Sequence, residues 1–269
     1  MPVAAVDKVF AGSIPKLYQS HFVPLIFEPY AADLAQRVAR RRVSRVLEIA
    51  AGTGVVTRAL DRALDEKVSI VATDLNPGML EEARAQGTKR AVDWRQADAM
   101  ALPFGDGAFD CVVCQFGVMF FPDKVHAFAE ARRVLTPGGV FLFNAWDRIQ
   151  DNEFADVIAH ALAGLFPKDP PKFMERTPHG YNDRDAIQLD LKGAGFGKTR
   201  MDTLAVKSRG PTPLDVAIAY CQGTPWRSEI EARGSLEEAT KVSAKAIEDR
   251  FGPGPVEGKI QAIVVEVEK

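Results

Sequence analysis

Between Arg45 and Trp146 the chain alternates strand-like runs with segments of helical spacing. The runs are RVLEIA (45–50), VSIVATD (68–74), AVDWRQAD (91–98), AFDCVVCQF (108–116) and VFLFNAW (140–146). Most are continuously hydrophobic rather than alternating, the pattern of strands buried on both faces of a parallel sheet. Parallel strands need long crossovers, and helices supply them. Val56, Ala59, Leu60, Ala63 and Leu64 share a helical face after the first run. Asn76-Pro77 opens a second helix as N-cap and first helical position, and Gly87 stops it. Asp123 to Leu135 is a third, with Val125, Phe128, Ala129, Arg132 and Leu135 on or near one face. Thr136-Pro137-Gly138-Gly139 reads as a turn.

Beyond Asp147 the pattern loosens. EFADVIAHALAGLF (153–166) is an amphipathic helix, KDPPKF breaks the chain, and Asp185–Ala194 is a shorter helix ending at Gly195. Met201–Lys207 and Lys259–Val267 read as two late strands, with a helical insertion over about 212–250 between them. No internal repeat or low-complexity tract interrupts this order.

An open α/β sheet binds its ligand beyond the carboxyl ends of its strands, so the residues just after each strand are the functional candidates. The first strand runs into Ala51-Gly52-Thr53-Gly54 and then a helix. This begins like a dinucleotide fingerprint, but Thr57 stands where the third glycine would allow close helix packing. No Gly-Lys-Ser/Thr follows, which excludes a P-loop. Asp74, 20 positions beyond Gly54, ends the second strand, where an acid can accept from both hydroxyls of a ribose. That much fits NAD as well as any other adenosine cofactor. Glu48 and Asp98 add two more carboxylates at strand ends. Three acids around one cleft would repel a pyrophosphate and suit a ligand with a positive centre, such as S-adenosylmethionine.

These motifs resemble class I S-adenosylmethionine-dependent methyltransferases, in particular the small-molecule branch of ubiquinone/menaquinone-biosynthesis type (methyltransferase type 11). VLEIAAGTGVVT is similar to that family's first motif and VATDLNPGMLEEAR to its second. QADAMALPFGDGAFDCVVCQFGVMFFPD is similar to the third and fourth, and EARRVLTPGGVFLF to the segment leading into strand five. The resemblance covers residues 43–147 tightly; Ala51 stands where many members carry glycine. It implies a Rossmann-like, doubly wound, seven-stranded α/β sheet with strand seven antiparallel and helical lid elements. It also implies one methyltransferase domain over 1–269: a helical cap at 1–42, a core at 43–208 and 256–269, and a helical insertion at 209–255.

Carried over residue by residue, the resemblance implies that Glu48, Ala50, Gly52, Thr53 and Gly54 line the methionine end of S-adenosylmethionine. Asp74 would hold the ribose, and Leu75 and Met79 would pack on the adenine. Asp98, Ala99 and Met100 would meet the adenine edge, and Gln115 and Phe116 would lie beside the sulfonium. S-adenosylhomocysteine is the implied product and a small molecule the implied acceptor. A silent S-adenosylmethionine-binding regulator and a nicotinamide-dependent oxidoreductase stay open as rival readings.

Composition narrows the partners. Net charge is −2, with no basic excess for nucleic acid. Arg37, Arg40, Arg41, Arg42 and Arg45 read as a solvated helix end. No apolar run reaches the length of a membrane span, and the opening MPVAAVDKVFAGS lacks a signal-peptide core. Three cysteines fit a reducing cytoplasm. Cys111 and Cys114 fall on opposite faces of one strand, so their spacing suits buried thiols rather than metal or redox chemistry. No metal site is expected.

Methyl transfer from a sulfonium needs alignment and water exclusion more than acid–base chemistry. His126 and His160 fall within amphipathic helices as structural or exposed residues. HFVPLIFEPY is too apolar for a free tail. Residues 1–30 and 212–250 are therefore expected to enclose the acceptor, with Tyr18 and His21 as the catalytic candidates and Leu236, Val242, Ile247 and Phe251 facing inward. Phe120, Phe121, Trp146, Tyr220 and Trp226 are candidate apolar walls.

Overall fold

The computed structural model describes Asp7, Phe10 and residues 12–269. The remainder of the expected 1–42 cap lies outside the described residues. The described chain opens with a short helix α1 (Ile14–Leu17), a π-helical stretch (Tyr18–Phe27) and α2 (Glu28–Ala39). Strand and helix then alternate: β1 (Arg45–Ile49), α3 (Val55–Ala63), β2 (Ser69–Asp74), α4 (Pro77–Gln86), β3 (Asp93–Gln96), β4 (Phe109–Gln115), α5 (Lys124–Val134) and β5 (Leu135–Trp146). After α6 (Glu153–Leu165), α7 (Phe173–Arg176) and α8 (Arg184–Gly193) come β6 (Thr199–Gly210), α9 (Pro213–Gln222), α10 (Trp226–Glu231), α11 (Leu236–Phe251) and β7 (Val256–Glu268).

The strands form one seven-stranded sheet in the order β3-β2-β1-β4-β5-β7-β6. The first five pair in parallel, and β7 is antiparallel to both neighbours. Order reverses between β1 and β4, so their carboxyl ends flank the crevice in which such sheets bind ligands.

Both faces are covered, as the unbroken hydrophobic runs require. On one face Val46, Ile70, Cys111 and Val113 meet Leu34 and Val38 of α2 and Val56 and Leu60 of α3. On the other, Leu47, Ile49 and Cys114 join a cluster with Phe128 of α5 and Phe154 and Ile158 of α6. Each such side chain contributes about 1.5–3 kcal/mol when fully buried. The two cysteines three apart thus enter opposite layers, as a strand's two-residue period dictates.

Several boundaries differ from the sequence reading. The third strand stops at Gln96; Asp98 instead pairs with Ala101 in an isolated bridge and accepts the Met100 N–H at 2.9 Å. Short polar side chains favour such local bonds over a ladder. Thr136–Gly139 lies inside β5 as an irregularity: Leu135 pairs with Phe109, and regular register with β4 resumes at Val140. Gly138, at φ +75°, makes that bulge possible. Arg37 and Arg41 are not simply solvated, since they pair with Asp33, Asp202 and Glu266. Among the described residues no helix is long and apolar enough to cross a membrane.

Candidate active site

A cleft opens at the carboxyl ends of β1, β2 and β4. Of the residues singled out by sequence, Ala50, Gly52, Asp74, Leu75, Met79 and Asp98 line it. Ala99, Gln115, Phe116 and Tyr18 line it as well. Glu48, Thr53, Gly54, Met100 and His21 do not.

The turn after β1 is held by its neighbours. The Gly52 N–H donates to Asp74 Oδ2 at 2.8 Å, and the Asn76 N–H donates to Asp74 Oδ1 at 2.8 Å. Burial pushes the Asp74 carboxyl up, and the two backbone donors pull against that shift. Each oxygen keeps a lone pair for a ligand. Gly52 and Gly54 adopt φ +57° and +80°, conformations that cost glycine nothing. A Cβ on Gly54 would stand 2.9 Å from the Trp94 ring and 3.2 Å from the Ala83 Cβ, so glycine here permits close packing of turn, α4 and β3. The turn therefore obtains its close approach without a third glycine at position 57.

Among the described residues, two that are not glycine have positive φ, Ala50 at +53° and Phe116 at +51°. They end β1 and β4 and both line the cleft. Such strain at about 1–3 kcal/mol per residue persists where packing imposes it, often at functional sites. Here Gly117 supplies the packing: its Cα lies so close to Ala50 that an added Cβ would be 2.5 Å from the Ala50 Cβ.

Glu48 occupies a different place from the one expected. It is buried beneath the turn, and the Thr57 hydroxyl donates to its Oε2 at 2.5 Å. Desolvation raises its carboxyl to about 8, so it is largely protonated at neutral pH. The ring of three charges inferred from sequence is thus reduced to Asp74 and Asp98 at the cleft surface. Thr57, read from sequence only as a missing glycine, is the partner of this acid.

Two buried polar atoms lack a protein partner near the turn. Thr53 Oγ1 is one; Gln115 Oε1 is the other. Gln115 is 9% exposed and lines the cleft, and its Nε2 donates weakly to the Phe27 carbonyl at 3.4 Å. A buried acceptor without a partner is costly unless a ligand or water completes it. Leu75 is 42% exposed at the rim, an apolar side chain open to a ligand.

Sequence reasoning missed Phe10, Asn76, Ala97 and Gly117, which also line the cleft. The Phe10 N–H donates to Asn76 Oδ1 at 3.4 Å and so docks the N-terminal segment on the rim. The helix-start signal at Asn76-Pro77 carries no mark of this use of the side chain. His21 bonds to the Ser20 hydroxyl at 2.7 Å. Tyr18 alone of the two catalytic candidates reaches the cleft, and burial pushes its phenol up.

An open parallel sheet with one antiparallel strand, a glycine turn after β1 and an acid after β2 defines a Rossmann-like methyltransferase. The Methyltransferase domain family matches residues 47–143. The chain is 42% identical over 177 residues to a ubiquinone/menaquinone biosynthesis C-methyltransferase, UbiE, of Erwinia tasmaniensis, covering 61% of this chain and 70% of that protein. A phosphoethanolamine N-methyltransferase of Haemonchus contortus, solved with S-adenosyl-L-methionine, is similar in fold: TM-score 0.57 at 16% identity, covering 95% of this chain and 56% of that one. The [4+2]-cyclase SpnF is similar too, with TM-score 0.59 at 16% identity and coverage of 99% and 98%. A cyclase on this architecture shows that fold alone does not fix the reaction. The sequence relationship goes further: the chain belongs to the S-adenosylmethionine-dependent methyltransferases of this domain family, and the nicotinamide reading falls.

Proposed function

We propose that the cleft holds S-adenosylmethionine and presents its methyl group to a small-molecule acceptor bound on the Tyr18 side. The observation that carries this is the pairing of Asp74, with a free lone pair on each oxygen, and Gln115, with an unpartnered buried Oε1, on opposite sides of the turn. One suits a diol and the other an ammonium, and their chemistry fits the cofactor. When bound there, the cofactor supplies an electrophilic methyl on a sulfonium.

The protein's own groups bind and orient. Asp74 accepts from the ribose hydroxyls. Leu75 and Met79 cover the adenine faces, with Asp98 and the Ala99 backbone toward its edge. Ala50 and Gly52 bring backbone close to the methionine end, and Thr53, Gly54 and Glu48, which do not line the cleft, shape the turn from behind, Glu48 through its bond from Thr57. Gln115 accepts from the ammonium and Phe116 borders the sulfonium. Tyr18 is the catalytic candidate that the geometry favours over His21, because it borders the cleft.

We read residues 1–269 as one methyltransferase domain, with 1–42 as the cap and 209–255 as an insertion on the core. The relative's C-methylation supports a small-molecule acceptor for this chain. Three buried free thiols support a cytoplasmic setting. The test is an acceptor screen read by S-adenosylhomocysteine formation. Turnover with at least one small molecule is expected, and its loss in Asp74→Ala ties it to the cleft; cofactor binding without turnover across a broad panel would favour the silent regulator.

A further inference from the structure

Arg58 stands in the first turn of α3, just after the glycine turn, and its guanidinium is shared between two segments. Nη1 donates to the Thr53 carbonyl at 2.6 Å, and Nη2 donates to Gln19 Oε1 at 3.2 Å. Thr53 lies between Gly52 and Gly54, whose positive φ values bend the turn. Gln19 lies in the π-helical stretch beside Tyr18, which borders the cleft. One side chain thus joins the turn to the segment that carries Tyr18.

The charge of Arg58 is not spent on an ion pair among the described residues. Burial works against it, and Glu48, the acid that acts on it most, is itself largely protonated. Arg62 repels it, and Glu28 and Glu82 attract it only weakly. Its donors go instead to two neutral oxygens. Bonds from a charged donor are strong, and the planar guanidinium fixes the spacing between its two acceptors. A displacement of the Thr53 carbonyl is therefore felt at Gln19.

The remaining contacts of the N-terminal segment on this side fall elsewhere. Phe10 bonds Asn76, and Pro15 lies against Gly78, where an added Cβ would be 3.7 Å from the Pro15 Cγ. Both sit at the start of α4, so Arg58 supplies the tie to the turn itself. The turn has slack to be taken up, since the buried Thr53 hydroxyl has no protein partner.

We propose that Arg58 is a positioning residue that couples the fit of the cofactor in the glycine turn to the placement of Tyr18 at the cleft, acting through Thr53 and Gln19. Arg58 does not itself line the cleft. A ligand on the Gly52 side orders the turn, and an ordered Thr53 carbonyl holds the guanidinium and Gln19 at less entropic cost. Linkage makes the effect mutual: an ordered Gln19 favours the ligand by the same factor. This rests on the cofactor reading given above.

Calorimetry and hydrogen exchange on the full chain test the coupling. S-adenosylhomocysteine is titrated into the unmodified protein first; failure to bind overturns the cofactor reading, and this proposal with it. On binding, exchange over Tyr18–Phe27 should slow by about fivefold or more. Arg58→Met and Gln19→Leu should each abolish that slowing and weaken S-adenosylhomocysteine by about five- to tenfold. The double variant should bind no more weakly than Arg58→Met alone, because both changes cut one path. Arg58→Lys keeps the charge without the planar fork and should behave like Arg58→Met. Gln19→Leu leaves α3 intact, so the test stands even where an Arg58 variant fails to fold. A purely structural role would alter exchange equally with and without ligand. Ligand-dependent slowing that survives in Gln19→Leu, additive losses in the double variant, or full affinity in Arg58→Lys would overturn the proposal.

Discussion

The Gly52 N–H points at Asp74 Oδ2, 2.8 Å away, and this bond joins the turn after β1 to the end of β2. Two strand ends, separated by a whole helix in sequence, are thereby fixed as one surface. The same carboxylate holds the start of α4 through the Asn76 N–H. Asp74 therefore shapes the cleft before any ligand arrives.

Gln115 makes only one weak structural bond, from its Nε2 to the Phe27 carbonyl at 3.4 Å. Its buried Oε1 has no protein partner, so Gln115→Leu removes an uncompensated polar atom at nearly constant volume. Such a change is close to neutral or stabilising for the fold. Affinity for S-adenosylmethionine should fall by about tenfold, the worth of one charge-assisted bond. Thermal melts and calorimetry together check this; a lowered melting point with unchanged affinity would make Gln115 a core residue.

Gly117→Ala tests the packing behind the strained turn. The new Cβ would lie 2.5 Å from the Ala50 Cβ and 2.7 Å from Cys114 Sγ. We expect a destabilisation of about 1–3 kcal/mol and weaker cofactor binding. Ala50→Gly in the same chain removes both the clash with Ala50 and the cost of φ +53°. Denaturant titrations should show recovery in the double variant.

Glu48 makes stability depend on pH. An unfolded glutamate titrates near about 4.3, whereas in the fold desolvation raises Glu48 to about 8. Its contribution is complete below the unfolded value and is lost as pH rises through the folded one. Glu48→Gln keeps a neutral group beneath the turn at every pH. The stability of Glu48→Gln relative to the unmodified protein should therefore rise between about pH 5 and about pH 8. Urea titrations across that range would show a flat difference if Glu48 were ionised throughout.

Arg176→Met severs the tie between Asp7 and Glu229 and leaves one buried and one half-buried acid without their guanidinium. Breaking this partly buried network loosens the contacts among the N-terminal segment, α7 and α10 rather than the sheet. Release of S-adenosylhomocysteine, followed by stopped flow, should quicken by about tenfold or more. Release at the original rate would show that these contacts do not govern closure.

The sheet was legible because its strands are continuous apolar runs, and the two-residue period alone placed Cys111 and Cys114 on opposite faces. The residues at strand ends were legible because an open α/β sheet offers its ligand nowhere else. What escaped was set by distant contacts. Glu48 sits under the turn because the Thr57 hydroxyl, nine residues on, draws it there. KDPPKF reads as a break, yet the helix that follows its two prolines places Phe173 and Met174 in a small apolar cavity beside the cleft. The insertion was expected to face inward along α11, but α11 packs on α9 and α6. Only Thr224 and Pro225, in the α9–α10 link, reach the cavity from that insertion. Leu236, Val242 and Phe251 are half-buried, and Ile247 is buried. Tyr220 and Trp226 are buried behind the wall rather than in it, Tyr220 meeting Phe22 edge-to-face at 4.9 Å. No local periodicity encodes such partners.

The most direct test is a calorimetric titration of the unmodified protein and Asp74→Ala with S-adenosylmethionine and with NAD. The unmodified protein should bind S-adenosylmethionine and not NAD. Asp74→Ala should remain folded yet lose about ten- to several-hundred-fold in affinity, as expected for two charge-assisted bonds to a ribose. Tight NAD binding, or an Asp74→Ala variant with full affinity for S-adenosylmethionine, would contradict the assignment of this cleft.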